Sequence, residues 1–222
     1  MLNNNLQLIA QEIFKEEFLN KELRKINQKY LQTQNVHSDY SILKFKNICK
    51  FIKGKKPEYI TESYENGLEL YLTIEVLSSQ TQLFAKKESK LIYVGKYDIL
   101  MVMDGASSGD VYFGKKGIVG STISKMDVDE KFREIIFHYI KFLEKEIKKN
   151  NTGSAIPHVD KGFILNLEFI IPKDFSKLDS IFKQIREKII VNNEEINRLT
   201  NLRDILLPKL MSGEINVSEI EI

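Results

Sequence analysis

Two spacings in this chain could do chemistry. Gly109 and Gly114, followed by Lys115, have the spacing of a phosphate-cradling loop. Such a loop ends on a Ser or Thr that holds magnesium, and here the position is Lys116. Its amides must also wrap phosphate, whereas Val111-Tyr112-Phe113 favours a strand. Glu146-Ile147-Lys148 has the Glu-x-Lys spacing of many nucleases, but it falls on a helical stretch with no acid placed on a strand upstream. The single cysteine, Cys49, excludes an internal disulfide and a cysteine-cluster zinc site, and fits a reducing cytoplasm. His37, His138 and His158 are too far apart to suggest metal ligands. The sequence therefore predicts a non-catalytic chain that needs no metal and no cofactor.

Charge points to a surface contact instead. The net charge of +2 is low for a general polyanion binder. From Ser41 to Pro57, however, come Lys44, Lys46, Lys50, Lys53, Lys55 and Lys56 with no acid among them. The tail after Gly213 carries only acids, Glu214, Glu219 and Glu221. A local basic face on a near-neutral chain suits phosphate met from one side, and it equally suits a solvated lysine-rich surface. No apolar run is long enough to cross a membrane, and the first residues lack the basic and apolar regions of a signal peptide. A cytoplasmic protein is expected.

The elements that must position these groups follow from periodicity. Residues 3 to about 33 read as a helix with Leu6, Ile9, Ile13, Phe14 and Phe18 on one face. The middle is strand-rich: Leu68–Ile74, Leu91–Val94, Tyr97–Met103, Val111–Phe113, Ile118–Val119 and Leu165–Ile171, with Tyr40–Ile52 open to strand or short helix. Asp104–Gly109 is a turn, Lys131–Lys149 an amphipathic helix and Asn150–Lys161 a polar loop. A long helix closes the chain from Phe175 to Leu207. Its seam runs Leu178, Phe182, Ile185, Ile189, Asn192, Ile196, Leu199, Arg203, Leu206, in the alternating three- and four-residue steps of a coiled coil. At about 1.5 Å per residue the rod is roughly 50 Å long, more than one small domain can cover. It reads as an arm or spacer, with a helix lying across its own domain as the alternative. Asn192 in the seam would fix register.

The central blocks resemble a known family. They are Gly95–Gly109, running through Asp98-Ile-Leu-Met-Val-Met-Asp104-Gly-Ala-Ser-Ser-Gly109, and then Gly117-Ile-Val-Gly-Ser-Thr122. With Thr152-Gly-Ser-Ala-Ile-Pro-His158, the close Leu167–Pro172 and the terminal Leu202-Arg-Asp-Ile-Leu-Leu-Pro-Lys-Leu-Met-Ser-Gly-Glu-Ile215, they resemble the DNA specificity subunits of type I restriction–modification systems. The opening helix, with Phe14 and Phe18, is similar to that family's conserved helix. The resemblance implies an α+β fold: a mixed α/β target-recognition lobe flanked by an N-terminal helix and a long C-terminal coiled-coil-like helix. Its segments are 1–35 (conserved helix), 36–172 (DNA-binding lobe), 173–208 (spacer and dimerisation helix) and 209–222 (tail). Full subunits of the family carry two such lobes, so this chain looks like a half-subunit: a natural short form, a split-gene product or a fragment.

The resemblance also implies a division of labour. Such a subunit reads DNA sequence and holds methylation (M) subunits and, through them, restriction (R) subunits, and each lobe reads one half of a two-part target. Double-stranded DNA is the expected ligand. Lys53, Lys55, Lys56, Lys115 and Lys116 are expected at phosphate, and Ser107, Ser108, Asn151, Thr152, Ser154 and His158 at polar contacts, base edges included. Ile185, Ile189, Asn192, Ile196, Leu199 and Leu206 are expected to join two copies as a homodimer. Two rivals stand beside this: a non-DNA scaffold with a binding lobe on a coiled-coil stalk, and a nucleotide hydrolase working through Gly109–Lys116.

Overall fold

The computed structural model describes residues 2–19, 40–79 and 81–215. In chain order the elements are α1 (Leu2–Leu19), β1 (Tyr40–Lys44), α2 (Phe45–Ile48), β2 (Cys49–Lys53), β3 (Ile60–Thr61), β4 (Leu68–Leu72), α3 (Ile74–Ser78), β5 (Phe84–Lys86), β6 (Tyr93–Val94), β7 (Ile99–Val102), β8 (Val111–Phe113), β9 (Gly117–Val119), β10 (Ile123–Val128), a 3₁₀ turn (Glu130–Phe132), α4 (Arg133–Phe142), α5 (Glu144–Lys149), α6 (Lys161–Leu165), β11 (Glu168–Pro172) and α7 (Ser176–Met211). The fold is α+β, as the sequence predicts.

β7 lies in the middle of an antiparallel sheet ordered β2-β10-β7-β8. Side chains alternate across a strand, so its apolar run serves two cores. Ile99, Met101 and Met103 face the helices, with Phe14, Met126, Ile135, Ile136, Ile140 and Phe182. Leu100 and Val102 face the other way, onto Leu72, Val76, Val94, Val119 and Ile123. A second sheet, ordered β3-β5-β4-β9-β6, covers that side, with β4 and β9 parallel. Backbones meet closely where the sheets join. A Cβ on Gly54 would overlap the carbonyl of Gly120, and one on Gly120 would sit 2.5 Å from Leu72 O. Glycine is needed at both points, and their contact fixes the loop that follows Lys53.

On the helical side α1 packs along the first half of α7. Ala10 and Phe14 of α1 are buried, and Gln11 Nε2 donates to His138 Nδ1 at 2.9 Å. The His138 ring lies 4.1 Å from that of Phe182. Burial, and then the charge of Arg186, push its pKa down to about 3. Arg186 and Glu134 form a buried two-pronged pair, Nε to Oε1 at 2.6 Å and Nη2 to Oε2 at 2.5 Å, with the guanidinium against the Phe113 ring. From the turn before β7, Lys96 reaches Glu194 at 3.2 Å, and the Glu187 carboxylate near the Tyr97 hydroxyl raises its pKa.

Several elements depart from expectation. α1 is described only to Leu19, so the predicted continuation to residue 33 lies outside the described residues. Its buried face is Ala10 and Phe14 with Ile13 beside them, while Ile9 is 51% exposed. The helix expected over 131–149 is broken at Leu143 into α4 and α5. The long helix extends to Met211, through Pro208. Proline removes one donor. Here the residue that loses it, Asp204, is exposed near the helix end, where water can take its place.

The predicted seam of α7 divides in two. Phe182 and Arg186 are buried, Ile185 and Ile189 are half-buried, and Asn192 Nδ2 donates to Asn3 Oδ1 of α1 at 2.8 Å. Asn192, expected to set register with a second copy, is therefore engaged within its own chain. Beyond it the same stripe continues uncovered among the described residues: Ile196 is 45% exposed and Leu199 50%, with Leu206 half-buried. No described helix is long and apolar enough to cross a membrane.

Candidate nucleic-acid interface

One edge of the central sheet gathers most of the polar groups singled out in the sequence. β2 ends at Lys53, opposite Ser124, and β7 ends at Val102, opposite Ile123. The chain leaves β7 through Met103 and Asp104 into a tight loop. Gly105 and Gly109 take positive φ there, 99° and 98°, which favours glycine. Gly109 N bonds back to Val102 O at 2.9 Å, and Ser108 N to Gly105 O at 2.9 Å.

A second loop is sewn to the first. Thr152 and His158 exchange backbone hydrogen bonds, both 2.8 Å, and close a small hairpin. Val159 N donates to Met103 O and Gly105 N to Pro157 O, each at 2.9 Å. Inside the hairpin Gly153 has φ 88°, and a Cβ on it would overlap Ile156 O. Asn151 Nδ2 donates to the Oγ of Ser108 at 2.6 Å and to its carbonyl at 3.1 Å. Ser108 is only 1% exposed, so this pair locks the loops together and keeps Ser108 away from any ligand.

The side chains that remain at the surface form a mixed rim. Asp104 accepts from Lys53 Nζ at 3.1 Å and from His158 Nδ1 at 2.8 Å. Burial pushes the Asp104 pKa up, but the bonds from His158 and Lys53 outweigh it and leave it below the ordinary aspartate value. Lys55 and Lys56, on the loop pinned by Gly54, are exposed, and their ammonium groups have no partner among the described residues. Thr152, Ser154 and Ile156 are exposed on the hairpin, and Ser107 is half-buried. No described cluster of His, Cys, Asp and Glu could hold a metal ion.

Lys115 and Lys116 do not join this rim. They follow Gly114, whose N–H bonds Asp98 O at the opposite end of β7. Six residue steps of extended chain lead from Asp98 to Asp104, about 20 Å. Lys115 donates to Val76 O at 2.9 Å, and desolvation lowers its pKa. The lysine-rich segment is also not one face, because Lys44 pairs with Glu168 on the β1–β11 ribbon at 3.0 Å.

Residues 37–201 match the family model of the type I restriction modification DNA specificity domain. The chain belongs to that family. It is 30% identical over 213 residues to the type I restriction enzyme MjaVIII specificity subunit of Methanocaldococcus jannaschii, an alignment covering 92% of this chain and 47% of that protein. The specificity-domain chain thus spans about half the length of that curated relative. Its fold is similar to a type I restriction–modification S subunit from M. genitalium (TM-score 0.59, 19% identity, 94% of this chain and 54% of that one). It is also similar to the HsdS subunit from Thermoanaerobacter tengcongensis (TM-score 0.53, 15% identity, 96% and 52%).

The sequence missed the residue at the centre of this specificity-domain rim. Asp104 reads in sequence as the first residue of a turn, and nothing local links it to a histidine 54 positions away. Gly153 and Ile156 sit inside the Thr152–His158 block, where nothing in the sequence gives either a role of its own.

Proposed function

We propose that this chain reads one half of a two-part DNA target for a type I restriction–modification complex and performs no chemistry itself. Methylation subunits and, through them, restriction subunits act at the site it chooses. What carries the reading is one rim, where Asp104 joins Lys53 to His158 of a hydrogen-bonded polar hairpin and the exposed Lys55 and Lys56 follow Lys53, on a specificity-domain lobe. Lys55 and Lys56 meet phosphate, which supplies affinity and register. Thr152, Ser154 and His158 have the donors and acceptors for base edges. Ser108 and Asn151 hold the hairpin in place, and Lys115 belongs to the far end of the lobe.

The test is binding to a random-sequence duplex by fluorescence anisotropy over a salt series. Lys55→Ala with Lys56→Ala weakens binding to all sequences and flattens the log–log salt slope by about 0.9 for each phosphate no longer neutralised. Unchanged affinity and slope would take these lysines off the interface.

The uncovered half of α7 supports a second part of the proposal. Two copies meeting through Ile196, Leu199 and Leu206 present two rims related by a two-fold axis, which suits an inverted repeat with a fixed gap. Asn192 has no part in that contact. Sedimentation should show a dimer that Leu199→Glu dissociates; a monomeric wild type at tens of micromolar, alone and with methylation subunits, would refute it.

A further inference from the structure

Asp104 is an acid in the middle of a face that, on the reading above, meets phosphate. An ionised carboxylate has no proton to give. With Asp104 Oδ1 2.8 Å from its Nδ1, a neutral His158 carries its proton on Nδ1 and leaves Nε2 as an acceptor. Glycine at 153 leaves room for the ring: a Cβ there would sit 3.0 Å from His158 Cδ2, the carbon beside Nε2. The His158 side chain is 50% exposed, and among the described residues nothing bonds Nε2. The other oxygen of Asp104 meanwhile holds the ammonium of Lys53 at 3.1 Å.

We propose that Asp104 is a positioning residue for base readout. It fixes His158 as a hydrogen-bond acceptor for an exocyclic amino group, that of adenine or cytosine in the major groove, and it ties up Lys53, which would otherwise add sequence-independent attraction to phosphate. The proposal rests on the DNA reading and deepens it. A carboxylate among phosphates weakens overall binding by repulsion. What it adds is discrimination: the acceptor is satisfied only opposite a base that presents a donor. Removing the acid should therefore strengthen non-specific binding while weakening selectivity, a combination that a purely structural residue does not produce.

The experiment uses the intact chain and a random-sequence duplex pool, with selection and sequencing for base preference and salt titration of the unselected pool. Asp104→Ala lowers preference at one base pair by roughly five- to tenfold. It also tightens pool binding and steepens the salt slope by about 0.9 as Lys53 gains a phosphate. Asp104→Asn shares the steeper slope but keeps most of the preference, because its amide oxygen still accepts from Nδ1–H. His158→Ala loses the same base preference without changing the slope. Nitrogen-15 NMR of His158 shows the Nδ1–H tautomer in the wild type and a shift away from it in Asp104→Ala.

An Asp104→Ala protein with the wild-type motif and slope, or one with weaker pool binding and a flatter slope, overturns the proposal. A wild type that selects no motif overturns the DNA reading itself. A wild-type motif that survives in the variants overturns only the role given to Asp104. Should Asp104→Ala fail to fold, Lys53→Met decides: an unchanged pool slope supports a lysine already tied up, and a slope flatter by about 0.9 contradicts it.

Discussion

Replacing Arg186 by Met should strongly destabilise the lobe, and also replacing Glu134 by Leu should restore it. Both side chains are 4% exposed, and two charge-assisted hydrogen bonds at 2.6 and 2.5 Å join them. Burial raises the Glu134 pKa, and Arg186 offsets part of that rise. Burial likewise pushes Arg186 down to about 10, against the opposing effect of Glu134. Each charge is thus tolerated only because the other is present. Arg186→Met strands a carboxylate in the interior, at a cost of about 3–5 kcal/mol. Set against the roughly 5–15 kcal/mol that holds a domain folded, that is a large fraction. For a chain of this size it lowers Tm by about 6–20 °C. The double replacement puts apolar groups where the pair stood and costs little or nothing. The assay is urea unfolding followed by far-UV circular dichroism on the wild type, both single variants and the double. A single-variant loss under about 1 kcal/mol, or a double variant no better than Arg186→Met, would refute the reasoning.

Two further outcomes can be checked on the isolated protein. His138 has a folded pKa near 3, below its ordinary value of 6.5, so the unfolded chain binds the proton first. Its contribution is complete above about pH 6.5 and is lost as pH falls toward 3, at up to about 1.4 kcal/mol per pH unit. Stability measured across that window should fall less steeply in His138→Phe, and an identical slope would contradict the assignment. Cys49 is buried, and desolvation, with Asp127 second, pushes its thiol up to about 12. Iodoacetamide should therefore label it only at the rate of unfolding, and rapid labelling of the native protein would show that β2 opens locally.

What the sequence made legible follows from where periodicity and chemistry coincide. β7 was plain because burial on both faces demands an unbroken apolar run. β10, its neighbour in the same sheet, is hidden in the sequence because Ser124, Lys125 and Asp127 interrupt Ile123, Met126 and Val128. Tertiary partners account for the polar residue that matters most: Lys125 pairs with Asp98 at 3.0 Å, so it can occupy a central strand. The short elements α2, α3 and β5 carry too few residues to show a period. At the rim, the lysines after Gly54 and the Thr152–His158 block were visible as composition and motif. Their grouping, and the exclusion of Lys115 and Lys116, depend on which end of β7 each loop adjoins. Arg186 is not legible in the sequence because a charged residue beside an apolar seam reads as solvated, and only Glu134, 52 positions earlier, makes it part of the core.

The placement of rim and arm at opposite ends of β7 bears on how a gap between two half-sites could be held. The turn before β7 touches the arm through the Lys96–Glu194 pair, and the turn after β7 carries Asp104 and the hairpin. The strand between them is buried on both faces and bonded to a strand on either side. A close-packed interior of this kind deforms little. On the proposed reading, the reach from arm to DNA is therefore set by the roughly 20 Å from Asp98 to Asp104, with β7 at its centre, and by the Arg186–Glu134 pair at the joint. The gap between half-sites then depends on where along the exposed stripe the two arms meet. Sliding that contact by one helical turn moves the two rims apart by about 5.4 Å, between one and two base-pair steps of DNA. Substitutions at Ile196, Leu199 and Leu206 would then change the preferred gap while leaving the half-site sequence untouched, and substitutions at the rim would do the reverse.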